Sequence, residues 1–250
     1  MVDVARAHFP LWQQGRRIAA RWWPSVCVLC SGRGANPLLD LCAECHADLP
    51  KNDSACARCA EPLARGISVA PLLCGLCLQR VPRFDAALCA LRYAYPVDRM
   101  IRQLKYGNAV IHGRVLGEIM AAYVGRMHCG PWPDCVVPMP LAQKRFEQRG
   151  YNQAIELAAV IERRLPVRVR TDLVVRSRET LEQAELDRKQ RSRNVRGAFS
   201  LSGELRGRHV AIIDDVVTTG STVNELARVL RRAGARRVDV WAVARAGRMK

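Results

Sequence analysis

Val210, Ala211, Ile212 and Ile213 form a short apolar run that ends in two adjacent carboxylates, Asp214 and Asp215. Such a run predicts a strand buried on both faces of a parallel sheet. The same grammar recurs from residue 84 onward. Residues 84–96 read as one or two strands, followed by helices around 97–104 and 114–124. Residues 134–140 form a short apolar strand stopped by two prolines. Within 149–165, the residues Tyr151, Ala154, Ile155, Ala158, Ile161 and Leu165 fall on one face of a helix. Residues 170–176 read as a further strand, and 198–201 and 208–215 resume the sheet. Val223, Leu226, Ala227 and Leu230 line a helix that Gly234 ends, and 237–245 is a last strand. Strands alternating with helices predict an α/β domain with a mainly parallel sheet and helices on both faces.

Before residue 81 the pattern is different. Four CxxC pairs stand at Cys27/Cys30, Cys42/Cys45, Cys56/Cys59 and Cys74/Cys77. A CxxC turn points two thiolates at one ion, and two turns complete the tetrahedral Cys₄ shell that structural zinc prefers. Eight ligands make two sites. Pairing in sequence order gives two ribbons in tandem, and a crossed pairing of the first turn with the third is the alternative. Iron–sulfur ligation is a second alternative, whereas disulfides are disfavoured in a reducing compartment. Cys89, Cys129 and Cys135 stand outside the series and are expected to pack as small hydrophobes. The expected organisation is an N-terminal helical segment over 1–24, a double zinc ribbon over 25–80 and the α/β domain over 81–250.

Composition narrows the class. Residues 66–79, the longest uncharged apolar stretch, are interrupted by Pro71 and too short for a membrane span of ~20 residues. The first 25 residues carry no uninterrupted apolar core, so a cytoplasmic protein without membrane insertion is expected. The formal charge is +17, and the excess lies after residue 80, with 31 basic against 17 acidic residues. A surface of that sign suits nucleic acid or another polyanion. A compositional origin is the competing explanation, because 35 of the 40 basic residues are Arg.

The loop after the two carboxylates gives them a meaning. In a parallel sheet, ligands bind beyond the carboxyl ends of the strands. Thr218, Thr219, Gly220, Ser221 and Thr222 sit there, before a helix, and their N–H groups and hydroxyls make an anion site. Carboxylates beside a phosphate cradle would repel a phosphate unless the ligand also offers hydroxyls. A ribose 5-phosphate meets both demands. The chain contains no G-x-x-x-x-G-K-[ST], and no G-x-G-x-x-G follows a strand. Residues 176–197 are polar throughout, with seven basic and four acidic side chains, and read as a long loop.

"VAIIDDVVTTGST" resembles the phosphoribosyl-pyrophosphate (PRPP) signature of type I phosphoribosyltransferases. The chain as a whole, from Cys27 to Arg245, resembles the ComF family of competence proteins: CxxC pairs, "IRQLKYG", "VVPMPLAQKRFEQRGYNQA", "RSRETLEQAELDRKQRSRNVRGAF", the PRPP signature and "AGARRVDVWAVAR" occur in order. The resemblance implies a type I phosphoribosyltransferase fold preceded by a double zinc ribbon. It implies that Asp214 and Asp215 hold the ribose hydroxyls and that residues 218–222 hold the 5-phosphate. Pro138 and Met139 fall in the implied pyrophosphate loop. Arg176, Arg178 and Arg191 belong to an implied flexible hood that closes over PRPP and are the candidate catalytic residues. Lys105, Arg149, Asn152 and Gln153 also match family positions, with no role assigned. Mg²⁺ accompanying PRPP would assist departure of pyrophosphate, leaving C1 to a nitrogen nucleophile. Enzymes acting on 6-oxopurines carry Asp where Thr218 stands, which argues against a 6-oxopurine acceptor. The resemblance implies two functions. One is PRPP binding in DNA uptake, with imported single-stranded DNA and a competence helicase as partners. The other is phosphoribosyl transfer to an unidentified amine or base.

Overall fold

The computed structural model describes residues 25–34, 39–64, 72–107, 109–177 and 195–247. It divides into two compact units, 1–49 and 50–250. The expected helical segment over 1–24 lies outside the described residues.

The first unit holds one ribbon. A turn at Cys27–Cys30, tied by Cys27 N–H to the Gly32 carbonyl (2.8 Å), faces the short helix α1 (Ala43–Ala47). Cys42 caps that helix through its sulfur, which accepts the Cys45 N–H.

In the second unit the order is α2 (Gly75–Gln79), β1 (Ala86–Arg92), α3 (Val97–Tyr106), α4 (Val110–Met127), β2 (Cys135–Pro138), α5 (Gln143–Arg149), α6 (Gln153–Arg164), β3 (Val174–Arg176), β4 (Phe199–Leu201), β5 (His209–Val217), α7 (Ser221–Arg232) and β6 (Arg237–Arg245). Four strands form a parallel sheet in the order β1-β6-β5-β2. The apolar runs read from the sequence are its two central strands: residues 210–213 of β5 and 238–244 of β6 are buried without interruption. Polar groups at the start of these strands pair with one another, His209 Nε2 lying 2.9 Å from Asp239 Oδ2.

One face of the sheet carries α4 and α6, which pack on each other. Gly117 is the point of closest approach, since a Cβ there would lie 2.8 Å from Val160 Cγ2. The other face carries α7, the β3–β4 pair and the second ribbon. Cys56, Cys59, Cys74 and Cys77 share one hydrophobic cluster with Cys89 of β1, Val240 of β6 and Leu226 of α7. Compactness thus groups the second ribbon with the larger domain, whereas cysteine spacing alone groups it with the first.

Three expectations need correction. Residues 198–201 do not resume the main sheet: β4 pairs antiparallel with β3 in a separate two-stranded sheet. The physical reason is local, for an antiparallel pair brings together the two ends of the long polar segment between them. The helical face in 149–165 is also shifted. Helix α6 begins at Gln153 rather than before Tyr151, Ile155 is 37% exposed, and Leu157 and Val160 are buried instead. Packing against both the sheet and α4 widens the buried stripe toward these two residues. Cys89 and Cys135 are buried as expected, but Cys129 is exposed.

Gly117→Leu should destabilise the chain by about 1–3 kcal/mol, as expected of overpacking. Denaturant melts of Gly117→Leu, Val160→Ala and the double variant measure it, and the double variant should recover part of the loss.

Candidate functional site

Beyond the carboxyl ends of β2 and β5 lies a cavity of about 390 Å³. Its walls come from six places in the sequence: the end of β1, the end of α3, the loop after β2, α5 with the start of α6, the end of β3, and the β5–α7 connection.

The acidic pair occupies one wall. Each carboxylate is fixed by the N–H of the next residue, Asp215 N to Asp214 Oδ1 at 2.9 Å and Val216 N to Asp215 Oδ1 at 2.7 Å. Lys105, on the last turn of α3, reaches across to Asp215 Oδ2 at 2.7 Å. Burial works against the Lys105 ammonium, but the Asp215 carboxylate outweighs it and holds its pKa above the ordinary value. Asp214 behaves oppositely. Burial, and then the neighbouring Asp215 charge, push its pKa up to about 7, with Lys105 only partly opposing. The two carboxylates thus have one cation, Lys105, beside them, and their oxygens can accept from hydroxyl groups.

The β5–α7 connection forms a wall whose N–H groups and hydroxyls can serve an anion. Gly220, at φ 78°, takes the left-handed conformation that turns the chain into α7, and its carbonyl accepts the Asn224 N–H at 2.9 Å. The first N–H groups of α7 have no intrahelical partner and face the cavity end of the helix. Thr218, Gly220, Ser221 and Thr222 line the cavity; Thr219 does not, and its hydroxyl lies 2.9 Å from that of Ser221.

Opposite stands a group of cations. Arg145, Arg149 and Arg176 line the cavity with Lys105. Burial, then the charge of Arg145, bring the pKa of Arg176 down to about 10. Arg176 also lies over the Phe199 ring at 5.6 Å, and Arg149 over the Tyr106 ring at 4.9 Å. Crowded guanidiniums in a partly buried wall are relieved by an anion of two or more charges. Arg178 and Arg191 lie outside the described residues.

The loop after β2 is held by main-chain bonds. Met139 N donates to the Ile213 carbonyl at 2.8 Å, and the Met139 carbonyl accepts from Asn152 Nδ2 at 3.0 Å. Asn152 also caps α6, its Oδ1 accepting the Ala154 N–H at 2.9 Å. Met139 lines the cavity together with Pro140 and Leu141. Pro138 does not: it sits in the ladder opposite Ile213. Sequence reasoning missed Tyr93, Tyr106 and Arg145 as cavity residues. Their only signal is position at the carboxyl end of β1, at the end of α3 and within the short α5.

The return end of the long polar segment is tied to α7. Gly197 N donates to Glu225 Oε1 at 2.7 Å, and Arg228 grips the same carboxylate at 2.6 and 2.8 Å. Burial opposes this carboxylate, but Arg228 and the Gly197 N–H keep its pKa below the ordinary value.

The two cysteine sets close as pairs in sequence order. Cys27, Cys30, Cys42 and Cys45 bring their sulfurs within 4.8 Å of one another, as do Cys56, Cys59, Cys74 and Cys77. Cys30 and Cys42 sulfurs lie 3.7 Å apart and Cys59 and Cys74 sulfurs 3.6 Å. Four sulfurs at Zn–S ≈ 2.3 Å in a tetrahedron stand about 3.8 Å apart, so both sets fit zinc. Main-chain N–H groups point at the sulfurs, Cys74 N to Cys56 Sγ at 3.3 Å and Gly32 N to Cys30 Sγ at 3.4 Å. Burial alone would favour the neutral thiols. Such N–H groups outweigh it at Cys27, lowered to about 6, and at Cys56, lowered to about 7.

Comparison with known proteins finds matches to both the cysteine-rich region and the α/β region. A phosphoribosyl transferase domain model matches residues 151–249, and a double zinc ribbon domain model matches residues 19–78. The DNA utilization protein YhgH of Escherichia coli O6:H1 is 35% identical over 225 residues, which span 89% of this chain and 97% of that protein. Competence protein F of Haemophilus influenzae is 33% identical over 226 residues, 88% of this chain and 96% of that protein. The chain belongs to the ComF family. It has that family's double zinc ribbon and phosphoribosyltransferase-type fold. Ribose-phosphate pyrophosphokinase of Vibrio vulnificus shares 36% identity over 85 residues, 31% of this ComF chain and 27% of that enzyme. Among the described residues, no helix is long and apolar enough to cross a membrane.

Metal analysis of the purified ComF chain should find about two zinc ions, falling to about one in Cys74→Ser. The raised pKa of Asp214 means that between about pH 4 and 7 the native carboxyl keeps a proton the unfolded chain has lost. Stability of the unliganded protein therefore falls as pH rises through that window, by at most about 1.4 kcal/mol per pH unit. In melts from pH 5 to 8, Asp214→Asn should flatten this slope and melt above the wild type at pH 8.

Proposed function

We propose that this chain binds PRPP in the cavity at the carboxyl ends of β2 and β5 and serves in the handling of imported single-stranded DNA. The observation that carries the reading is a juxtaposition in one cavity. An acidic pair suited to hydroxyls, a loop of N–H groups and hydroxyls suited to a monophosphate, and arginines suited to a polyphosphate stand together. PRPP presents these three chemistries in that combination. In this reading Asp214 and Asp215 accept from the ribose hydroxyls, and Thr218, Gly220, Ser221 and Thr222 receive the 5-phosphate. The loop at Met139 and the arginines Arg145, Arg149 and Arg176 face the pyrophosphate.

The DNA role is supported by the basic excess after residue 80 and by the names of the relatives, which refer to DNA utilization and competence. Charge alone acts on phosphates without regard to sequence, so DNA binding should be salt-sensitive. A competence helicase is the proposed protein partner.

Phosphoribosyl transfer is a second reading, favoured by the same cavity. The C1–oxygen bond to pyrophosphate breaks, a C1–nitrogen bond forms, and the nitrogen gives up a proton. Bound Mg²⁺ would neutralise charge on the departing pyrophosphate, and the carboxylate oxygens of Asp214 and Asp215 are donors of the kind that ion takes. Arg176 and its neighbours would stabilise the developing charge. Lys105 orients Asp215 through their ion pair, so it contributes to positioning rather than to bond making.

Calorimetric titration of Mg²⁺–PRPP into the zinc-loaded protein tests the reading. Asp214→Asn/Asp215→Asn should weaken binding about a hundredfold, the equivalent of two lost charge-assisted hydrogen bonds. Failure of the folded wild type to bind would overturn PRPP recognition. Pyrophosphate release with amine and base acceptors separates transfer from binding alone.

A further inference from the structure

Arg245 ends β6, and it is 1% exposed, a depth unusual for a guanidinium. Its side chain reaches two places far apart in sequence. On one side Nε donates to the Cys59 carbonyl at 3.1 Å, and Nη2 pairs with the Glu61 carboxylate. On the other, Nη1 donates to the Val217 carbonyl at 2.8 Å and to the Thr218 carbonyl. The first pair belongs to the turn that carries Cys56 and Cys59. The second opens the loop that cradles the anion.

An arginine cannot shed its charge when buried, so every partner it loses must be replaced. Its one carboxylate on the ribbon side is Glu61, two residues beyond a metal ligand. That turn is itself held from three directions. The thiolates of Cys56 and Cys59 hold it to the metal, the Cys56 N–H donates to the Glu61 carbonyl at 2.8 Å, and Asn52 Nδ2 donates to the Ala60 carbonyl at 2.9 Å. If the thiolates lose their ion, the turn loses its strongest constraint and Glu61 is no longer fixed opposite Arg245. The guanidinium must then move toward other acceptors, and the Thr218 carbonyl loses its donor.

We propose that Arg245 is a positioning residue that makes the second cysteine set part of the anion-binding loop, so that occupation of that metal site governs phosphate binding at a loop far along the chain. The proposal rests on the reading of residues 218–222 as a phosphate cradle. It assigns the second ribbon a role beyond stabilising its own fold: the metal sets the conformation of Thr218 through a chain of turn, Glu61 and Arg245.

Amide hydrogen exchange on the full chain reads the coupling directly, and titration with ribose 5-phosphate reads its consequence. Arg245→Lys keeps the positive charge but loses the fork. With both zinc ions retained, it should exchange faster at residues 217–223 and bind ribose 5-phosphate about tenfold more weakly. Cys74→Ser, lacking one zinc, should show the same pattern, while 210–213 of β5 and 238–243 of β6 stay protected. Should Arg245→Lys not fold, Glu61→Gln removes the opposing charge and is expected to loosen the same residues. Unchanged exchange at 217–223 in the variants that fold would overturn the proposal. So would loss of protection throughout the sheet, which would make Arg245 an ordinary core residue. If the zinc-loaded wild type does not bind ribose 5-phosphate, the phosphate reading falls, and the exchange pattern still decides whether metal and loop are coupled.

Discussion

Two carboxylates next to each other at the end of a buried strand impose a demand that no local structure can meet. Asp214 and Asp215 repel, and burial removes the water that would screen them. The fold answers with Lys105 from α3, placed 2.7 Å from Asp215. That single ion pair requires α3 to end over the carboxyl ends of the strands, which also brings Tyr106 to the cavity. It leaves Asp214 partly unsatisfied, with its pKa raised. The remainder of the wall is built around this distribution of charge. The cations opposite are more than the two carboxylates can neutralise, and the cavity as a whole favours a polyanion with hydroxyls attached.

Long-range contact also decides how the chain is partitioned. A zinc ribbon is usually a small body whose metal substitutes for the core it lacks. Here the second set of cysteines lies within the hydrophobic cluster of the main domain, beside α7 and the sheet. Burial of that surface favours the grouping, and the polar anchors Asn52 and Arg245 fix its register. The first set is a compact body with its own turns and capping sulfur. Two motifs with nearly the same spacing therefore have different structural standing.

Much of this was legible in the sequence wherever a signal is local. The run at 210–213, the carboxylates after it and the small hydroxylated residues before an apolar helix read as strand, site and helix, and they are β5, the cavity wall and α7. Each CxxC reads as a local turn with two ligands, but its spacing left sequential and crossed pairings open, and only the assembled chain closes the sets in sequence order. What the sequence could not disclose depends on contacts between distant residues. Asn152 looks like a cap and is one, yet its Nδ2 also fastens the loop at Met139, a bond that exists only once β2 and α6 are assembled. Pro138 belongs to the strand rather than to the loop, because a strand end cannot be located to a single residue from its prolines. Residues 198–201 have strand-like composition, and nothing in their pattern tells a place in the main sheet from a hairpin partner. Arg245 is one arginine among 35; only its burial separates it from the others.

The bond between Gly197 and Glu225 has a geometric consequence. Helix α7 begins at the 218–222 wall of the cavity, and one turn later Glu225 holds Gly197, just before β4. Two segments distant in sequence are thus measured from the same rod. The helix acts as a ruler: it fixes the separation between the loop at its N-terminus and the chain entering β4.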